Sequence, residues 1–416
     1  MPGNKLRVVA PDVGGGFGGK TSLYPEAFLV CALARHLRKP VKWAGDRVED
    51  LLSTSQAFDE IIDAELTLDG DGKLLALSAD VTANSGAYSI YPWTAVIEPV
   101  QVVSFLPGPY RLENYHARVR AVATNKVTSG PYRGVGRPVS TFVMERLMDI
   151  AARRLSIDPI ELRLRNFVGD DEFPYKTGSG IVWDQSAFTD CLVQARDTIG
   201  YDDLRREQER ARAGGRWMGI GVASYCELTG IGSRISAAPG MPINTGTETA
   251  HIQIDSSGAV TARFGVVSFG QGLQTTLAQV VADELGVAIG DVEIVIGDSA
   301  GLAHVTGSYA SRSAVLAGGA ATLACRTLRD KILRVASHLF EASPNDIDIR
   351  EGAVSVTGTD RTMTVADVAH ALYSEMGRLP KEIRDEIDNL EATKVYDPIF
   401  GTATSASHIA VVDIDP

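Results

Sequence analysis

At 416 residues, with 44% hydrophobic and 22% charged side chains, the chain has the composition of a soluble globular protein large enough for two or more cores. A net charge of −12 argues against nucleic acid or an anionic membrane as the main partner, so an anionic ligand must be held by local amides and a few arginines. The longest apolar run, 27–34, is too short to span a bilayer, and no basic-then-apolar leader is visible. The four cysteines (Cys31, Cys191, Cys226 and Cys325) form no CxxC pair. That excludes an iron–sulfur or structural zinc site built from this chain alone, suits a reducing, cytoplasmic compartment, and makes each cysteine a small buried hydrophobe.

In chain order, Leu6 to Val9 predicts a strand, and Pro25 to Arg38 a helix with Phe28, Leu29, Ala32, Leu33 and Leu37 on one face. Residues 57–90 predict β-structure around an Asp69–Gly72 turn, and the aromatic, proline-rich piece from Tyr88 to Tyr110 a long loop or lid. Ser140 to Leu155 predicts a helix with an Asp149–Arg153 pair on its outer face, followed by a short helix capped by Asp158 and Pro159. Residues 168–184 read as loop, and 202–216 as an exposed charged helix.

Beyond Trp217 the pattern predicts strands at Thr249–Ile254, Val260–Phe269, Val292–Ile296 and His408–Ile414. A helix follows Gly270-Gln271-Gly272 and ends at Gly286. Another opens at TGSYASRSAVLAGGAA, with Ala314, Ala317, Gly318 and Ala321 as a small-residue stripe. Residues 379–398 are charged and read as exposed. No tandem period is present, but strand, glycine-containing loop, helix recurs three times.

The first of these loops, Gly14 to Lys20, has five glycines in seven residues, which brings backbone amides close to something. Its letters satisfy GxxxxGK[ST] through Gly14, Gly19, Lys20 and Thr21, and GxGxxG through Gly14, Gly16 and Gly19. Both motifs need a helix starting at the glycines, and Pro25 moves that start downstream. A phosphate-loop nucleotide-binding protein, with Asp298 as its magnesium-side acid, therefore stands as an alternative, beside a glycine-rich crossover that holds no ligand.

Taken with Pro131-Tyr132-Arg133-Gly134-Val135-Gly136-Arg137-Pro138, the loops and helices form a set: DVGGGFGGK, PYRGVGRP, MERLMDIAARRLSIDPIELRLRNFV, FGQGLQTTLAQVVADELGV and GSYASRSAVLAGGAA. In this order the set resembles the large, molybdopterin-binding subunit of the xanthine dehydrogenase and aldehyde oxidase family, the molybdenum hydroxylases. The resemblance implies an α+β fold of two elongated mixed α/β domains sandwiching the cofactor, lacking the family's N-terminal domain and C-terminal end. The expected divisions are 1–170 as a first cofactor-binding domain, 171–215 as loop and charged linker, and 216–416 as a second domain truncated at its C-terminus.

Such a cofactor is a flat ring, rich in hydrogen-bonding groups, with a phosphate; the expected form is molybdopterin cytosine dinucleotide. Its dithiolene sulfurs grip molybdenum, so no protein ligand to the metal is required, and seven scattered histidines are no obstacle. The resemblance makes Gln271 a donor to the apical oxo group, and sets Phe17 and the Gly18 amide against the metal's reactive face. It makes Arg133 a fixed positive charge near substrate. It implies that Gly16, Phe17, Gly18, Gly270, Gln271, Gly272, Ala310, Ser311 and Ser313 bind the cofactor. The implied reaction is hydroxylation of an aldehyde, purine or other N-heterocycle with water as oxygen donor.

Electrons then pass to 2Fe–2S and FAD centres on an iron–sulfur small subunit and a FAD-binding medium subunit, giving a heterotrimer. Two departures matter. Gly134 stands where the family's carbon monoxide dehydrogenases carry a copper-binding cysteine, which speaks against carbon monoxide oxidation. The GxGE-type segment that supplies the glutamate general base is missing, so the single chain is expected to be inactive unless a separate chain carries that segment; a non-catalytic remnant is the remaining reading. Selectivity for the small-molecule substrate is expected in loops 88–109 and 227–245.

Overall fold

The computed structural model describes residues 2–235 and 246–415, so most of the 227–245 loop lies outside the described residues. The described chain divides into two compact units: residues 17–228 with 400–415, and residues 2–16, 229–235 and 246–399. The division falls inside the glycine-rich loop, between Gly16 and Phe17.

The unit built on residues 17–228 begins with α1 (Pro25–Leu37) and α2 (Arg47–Ser53). Pro25 opens α1, where its missing N–H has no helical partner to lose, and Asp46 and Glu49 cap α2 reciprocally. The apolar stripe of α1 forms as predicted, yet among the described residues none of it is buried; Phe28 is 62% exposed. Cys31, on the same helix, is exposed too, against the expectation that every cysteine is buried; Cys226 and Cys325 are buried, and Cys191 is half-buried.

The hairpin β1 (Glu60–Leu68) and β2 (Leu74–Gly86) turns at Asp69, whose carboxylate accepts from the amides of Asp71 and Lys73 at 3.0 and 2.8 Å. Alternate residues of β2 (Leu77, Ala79, Val81, Ala83) face the core. The next strand of the sheet, β3 (Asn114–Ala123), is parallel to β2, and parallel neighbours need a crossover. That crossover contains α3 (Ile97–Phe105), where a long loop was predicted. Pro99 is tolerated in its first turn, and Ile97, Glu98, Gln101, Val102 and Phe105 form its buried face. Prolines at 92, 99, 107 and 109 hid nine helical residues from a periodicity reading.

α4 (Arg137–Leu155) starts three residues before the predicted Ser140, because Gly136, at φ +74°, supplies the left-handed turn at its entry. α5 (Pro159–Asn166) has the predicted cap, Asp158 accepting from the Ile160 amide at 2.8 Å. Between them Arg163 and Glu145 make a buried ion pair at 2.7 Å. Arg163 also donates to Asp149 at 3.0 Å and to the Val222 carbonyl at 2.9 Å. Asp149 thus turns inward to Arg163, while Arg153 reaches only its backbone oxygen, correcting the predicted Asp149–Arg153 pair.

The stretch read as loop holds two short strands, β4 (Tyr175–Lys176) and β5 (Val182–Trp183), and is followed by α6 (Phe188–Ile199), which the sequence reading missed. α7 (Tyr201–Ala213) is the charged helix, and β6 (Trp217–Thr229) is a strand not foreseen.

In the other unit, β7 (Glu248–Ile254) and β8 (Val260–Phe264) form an antiparallel hairpin; α8 (Leu273–Leu285) then crosses to β9 (Val292–Val295), parallel to β8. The predicted strand Val260–Phe269 ends at Phe264, so residues 265–272 leave the sheet as a loop. A π-helical turn, Ser313–Ala317, leads into α9 (Gly318–Phe340), the core helix. Ala317, Ala320, Ala321, Ala324 and Leu328 are fully buried there, whereas Ala314 of the predicted stripe is exposed, because the π turn shifts its facing. A second small sheet comprises β10 (Ile347–Arg350), β11 (Ala353–Val356) and β12 (Thr362–Thr364), with α10 (Val365–Ser374) after it.

Residues 379–398, predicted exposed, carry α11 (Lys381–Glu386) and β13 (Glu391–Tyr396); β13 is the edge of the main sheet, in the order β13-β7-β8-β9. Leu379, Ile387 and Leu390 anchor it in the core. Leu6–Val9 is not a strand: Val9 makes a single bridge, to Asp298. The chain ends with β14 (Thr402–Ile414), paired with β6 of the first unit.

Candidate functional site

Within the first unit, two of the predicted loops meet. Phe17 adopts φ +53° and Gly18 φ +106°, and the Arg133 amide donates to the Phe17 carbonyl at 2.9 Å. A Cβ on Gly18 would stand 2.1 Å from the Pro131 oxygen, so only glycine permits this approach. The loop is closed by the Thr21 hydroxyl on the Gly18 carbonyl at 2.5 Å and by Tyr24 on the Gly19 carbonyl at 2.7 Å. No helix begins at these glycines; α1 starts at Pro25, so Lys20 and Thr21 lack the phosphate-loop geometry. Phe17 is 61% exposed, and Arg133 is exposed as well.

The arginine loop rests on buried charge that sequence reading missed. Glu98 of α3, 1% exposed, accepts from the Tyr132 amide at 2.7 Å. Arg137, 8% exposed, donates to the Gly134 carbonyl at 3.1 Å, pairs with Glu227 at 3.3 Å and stacks on Phe105 at 4.3 Å. Burial pushes Glu98 up to about 7, with Glu60 adding and the Tyr132 and Gly136 amides and Arg137 opposing. Burial likewise pushes Glu60 and Glu227 up to about 7. The available signal was an acid inside the apolar run AVIEPVQVV.

Within the second unit, the remaining predicted residues also lie on linked loops. Ser308 Oγ accepts from the Val267 amide and donates to the Val267 carbonyl, both at 2.8 Å, and receives from Ser313 Oγ at 3.2 Å. Gln271 folds back on the same loop: its Oε1 accepts from the Phe269 amide at 2.7 Å, and its Nε2 donates to the Val267 carbonyl at 3.3 Å. The entry to the glycine loop joins them, since Ala10 donates to Gly297 at 2.7 Å and Gly297 to Val266 at 2.9 Å. Asp298 is paired with Arg7 at 2.5 Å, which takes up the acid required by the phosphate-loop alternative.

Arg312, unforeseen, braces this region from beneath. Both it and Glu248 are buried, paired at 2.6 Å, and its guanidinium also donates to the Gly307 and Thr247 carbonyls at 2.7 and 2.5 Å. Ala310 and Ser311, which precede it, adopt φ +49° and +52°. The change from left-handed Ser311 to right-handed Arg312, at φ −86° and ψ −22°, is the kind of turn whose amides can bind an anion. Among the described residues, the amides of Gly270, Gln271, Gly272, Ala310 and Ser311 donate to no other residue. Nothing lies within 4 Å of a Cβ built on Gly270, Gly272 or Gly307.

Open space beside accessible amides that have no protein acceptor fits a flat ligand rich in acceptors and bearing a phosphate. Among the described residues no group of three or more His, Cys, Asp or Glu is placed to hold a metal, and no helix is long and apolar enough to cross a membrane.

Comparison with known proteins agrees with this chemistry. Residues 1–167 and residues 194–416 each match a molybdopterin cofactor-binding domain. The large subunit of nicotine 6-hydroxylase from Paenarthrobacter nicotinovorans is 33% identical over 99% of this chain and 50% of its own length. The carbon monoxide dehydrogenase large chain of Hydrogenophaga pseudoflava is 35% identical over 100% of this chain and 51% of its own. The crystal structure of quinoline 2-oxidoreductase from Pseudomonas putida 86 superposes with a TM-score of 0.92 and 37% identity, covering 100% of this chain and 52% of that one. The chain thus spans about half the length of the relatives it matches.

Proposed function

Because the chain belongs to the molybdopterin-binding large subunits of the xanthine oxidase family of oxidoreductases, we propose that it is the cofactor-cradling part of a molybdenum hydroxylase acting on an aldehyde or N-heterocycle. The bound cofactor supplies the two-electron redox chemistry that no side chain here provides. Gly16, Gly18, Gly270, Gly272, Ala310, Ser311 and Ser313 offer it backbone and hydroxyl donors. Gln271 spends its oxygen on the Phe269 amide, which leaves an Nε2 proton for the ligand. Phe17 forms an apolar wall beside the reacting carbon, and Arg133 holds a fixed positive charge against the developing negative charge of the substrate.

The observation that carries this reading is the set of accessible amides without a protein acceptor at Gly270–Gly272 and Ala310–Ser311. A cytosine dinucleotide form of the cofactor, an iron–sulfur small subunit and a FAD-binding medium subunit complete the proposal, together with a cytoplasmic location. Turnover is proposed for the assembled enzyme rather than for these 416 residues alone. Carbon monoxide is disfavoured as a substrate: Gly134 is at φ +100°, and a Cβ there would stand 2.5 Å from the Pro138 ring, so this loop has no room for a cysteine.

The test is composition. The protein isolated from a host that loads molybdoenzymes should hold about one molybdenum and one pterin per chain, and release a cytidine nucleotide on hydrolysis. Absence of both metal and pterin from a folded, soluble preparation refutes the reading.

A further inference from the structure

We propose that Glu98 is a positioning residue for the arginine loop: by holding the Tyr132 amide it sets where Arg133 stands and, through the next hydrogen bond, where Phe17 stands. The geometry is a relay of consecutive amides. Tyr132 N–H goes to Glu98 Oε1 at 2.7 Å, and Arg133 N–H goes to the Phe17 carbonyl at 2.9 Å. The loop packs directly on α3, where a Cβ on Gly136 would lie 2.4 Å from the Glu98 carbonyl oxygen and 2.7 Å from the Val102 nitrogen. It packs as closely on the glycine loop, where Gly18 approaches Pro131.

Glu98 Oε2 has no partner among the described residues, nor has either oxygen of Glu60 on β1. The charged groups around Glu98 are Glu60 on β1 and Arg137 at the start of α4, and the amides that act on it are those of Tyr132 and Gly136, both in the arginine loop. What Glu98 holds is therefore the arginine loop, through the Tyr132 amide at 2.7 Å. The importance of this for catalysis rests on the role proposed for Arg133, but the hold on the loop does not, and the two are tested separately.

The experiment is amide hydrogen exchange, followed by mass spectrometry, on the full 416-residue chain and two variants. Glu98→Met keeps the volume and removes the acceptor; Glu98→Gln keeps an acceptor oxygen. Peptides across 130–137 and 15–20 are compared with the 76–86 strand of the same unit. In Glu98→Met the two loop peptides should exchange about tenfold faster or more while the strand keeps its protection. Glu98→Gln should restore the loops to within about threefold of wild type.

The proposal is overturned if Glu98→Met leaves the loops at wild-type rates, if it speeds the strand equally, or if Glu98→Gln fails to restore protection. A wild-type protein without molybdenum or pterin would instead count against the proposed function and leave this result standing.

Discussion

The amide of Arg133 donates to the carbonyl oxygen of Phe17 at 2.9 Å, which couples two loops far apart in sequence at the two residues proposed above for the substrate side of the reaction. One residue further on, Gly18 abuts Pro131, so the coupling depends on a missing side chain as well as on a hydrogen bond.

Gly18→Ala should therefore break the contact. At φ +106° an alanine is strained by about 1–3 kcal/mol before its Cβ meets the Pro131 oxygen. For a unit of this size, each kcal/mol lowers the melting temperature by about 2–4 °C. Scanning calorimetry should show a lower transition for this unit, and an unchanged thermogram would refute the geometry.

Arg312 offers a contrast between breaking and replacing a buried pair. Removing it by Arg312→Ala leaves the Glu248 carboxylate buried without its partner and should cost about 3–5 kcal/mol. A double change, Arg312→Met with Glu248→Leu, should recover much of that loss. Urea unfolding midpoints decide it; a single variant as stable as wild type contradicts the buried pairing.

For Gln271, two jobs can be separated. Gln271→Glu keeps an oxygen able to accept from the Phe269 amide and loses the amide protons. The loop should keep its exchange protection while kcat of the assembled enzyme falls about 100- to 1,000-fold. Equal turnover at equal molybdenum content would remove Gln271 from the reacting side.

Stability should fall as pH rises from about 4.5 to about 7. Glu60, Glu98 and Glu227 are each pushed from an ordinary 4.5 up to about 7, chiefly by burial. Below the unfolded value both states hold the proton and the contribution is complete. As pH climbs, the unfolded chain ionises first, so the native state loses ground until the buried groups ionise too. Asp298, pulled down to about 2 by Arg7, acts in the opposite sense, but only below about pH 3.8, outside this window. Urea midpoints between pH 4.5 and 8 should decline in wild type and decline less in Glu227→Gln. A midpoint rising through that range contradicts the burial of these acids.

Glycine patterns announced the loops because a backbone at positive φ, or one pressed against another chain segment, leaves little choice of residue: Gly18, Gly134, Gly136, Gly270 and Gly272 all adopt such angles. The family was legible for the same reason. What escaped a local reading was support. α3 was hidden among prolines, β6 and α6 lacked a decisive period, and α1 showed an apolar stripe that stays exposed among the described residues.

The linear chain by itself determined which backbone segments are shaped to meet a ligand, since that shape depends on short-range sterics written in glycine spacing. Tertiary structure alone decided what holds those segments in place. Glu98 under Tyr132 and Glu248 under Arg312 join residues distant in sequence, and whether a charge is buried or solvated depends on neighbours that no local pattern specifies.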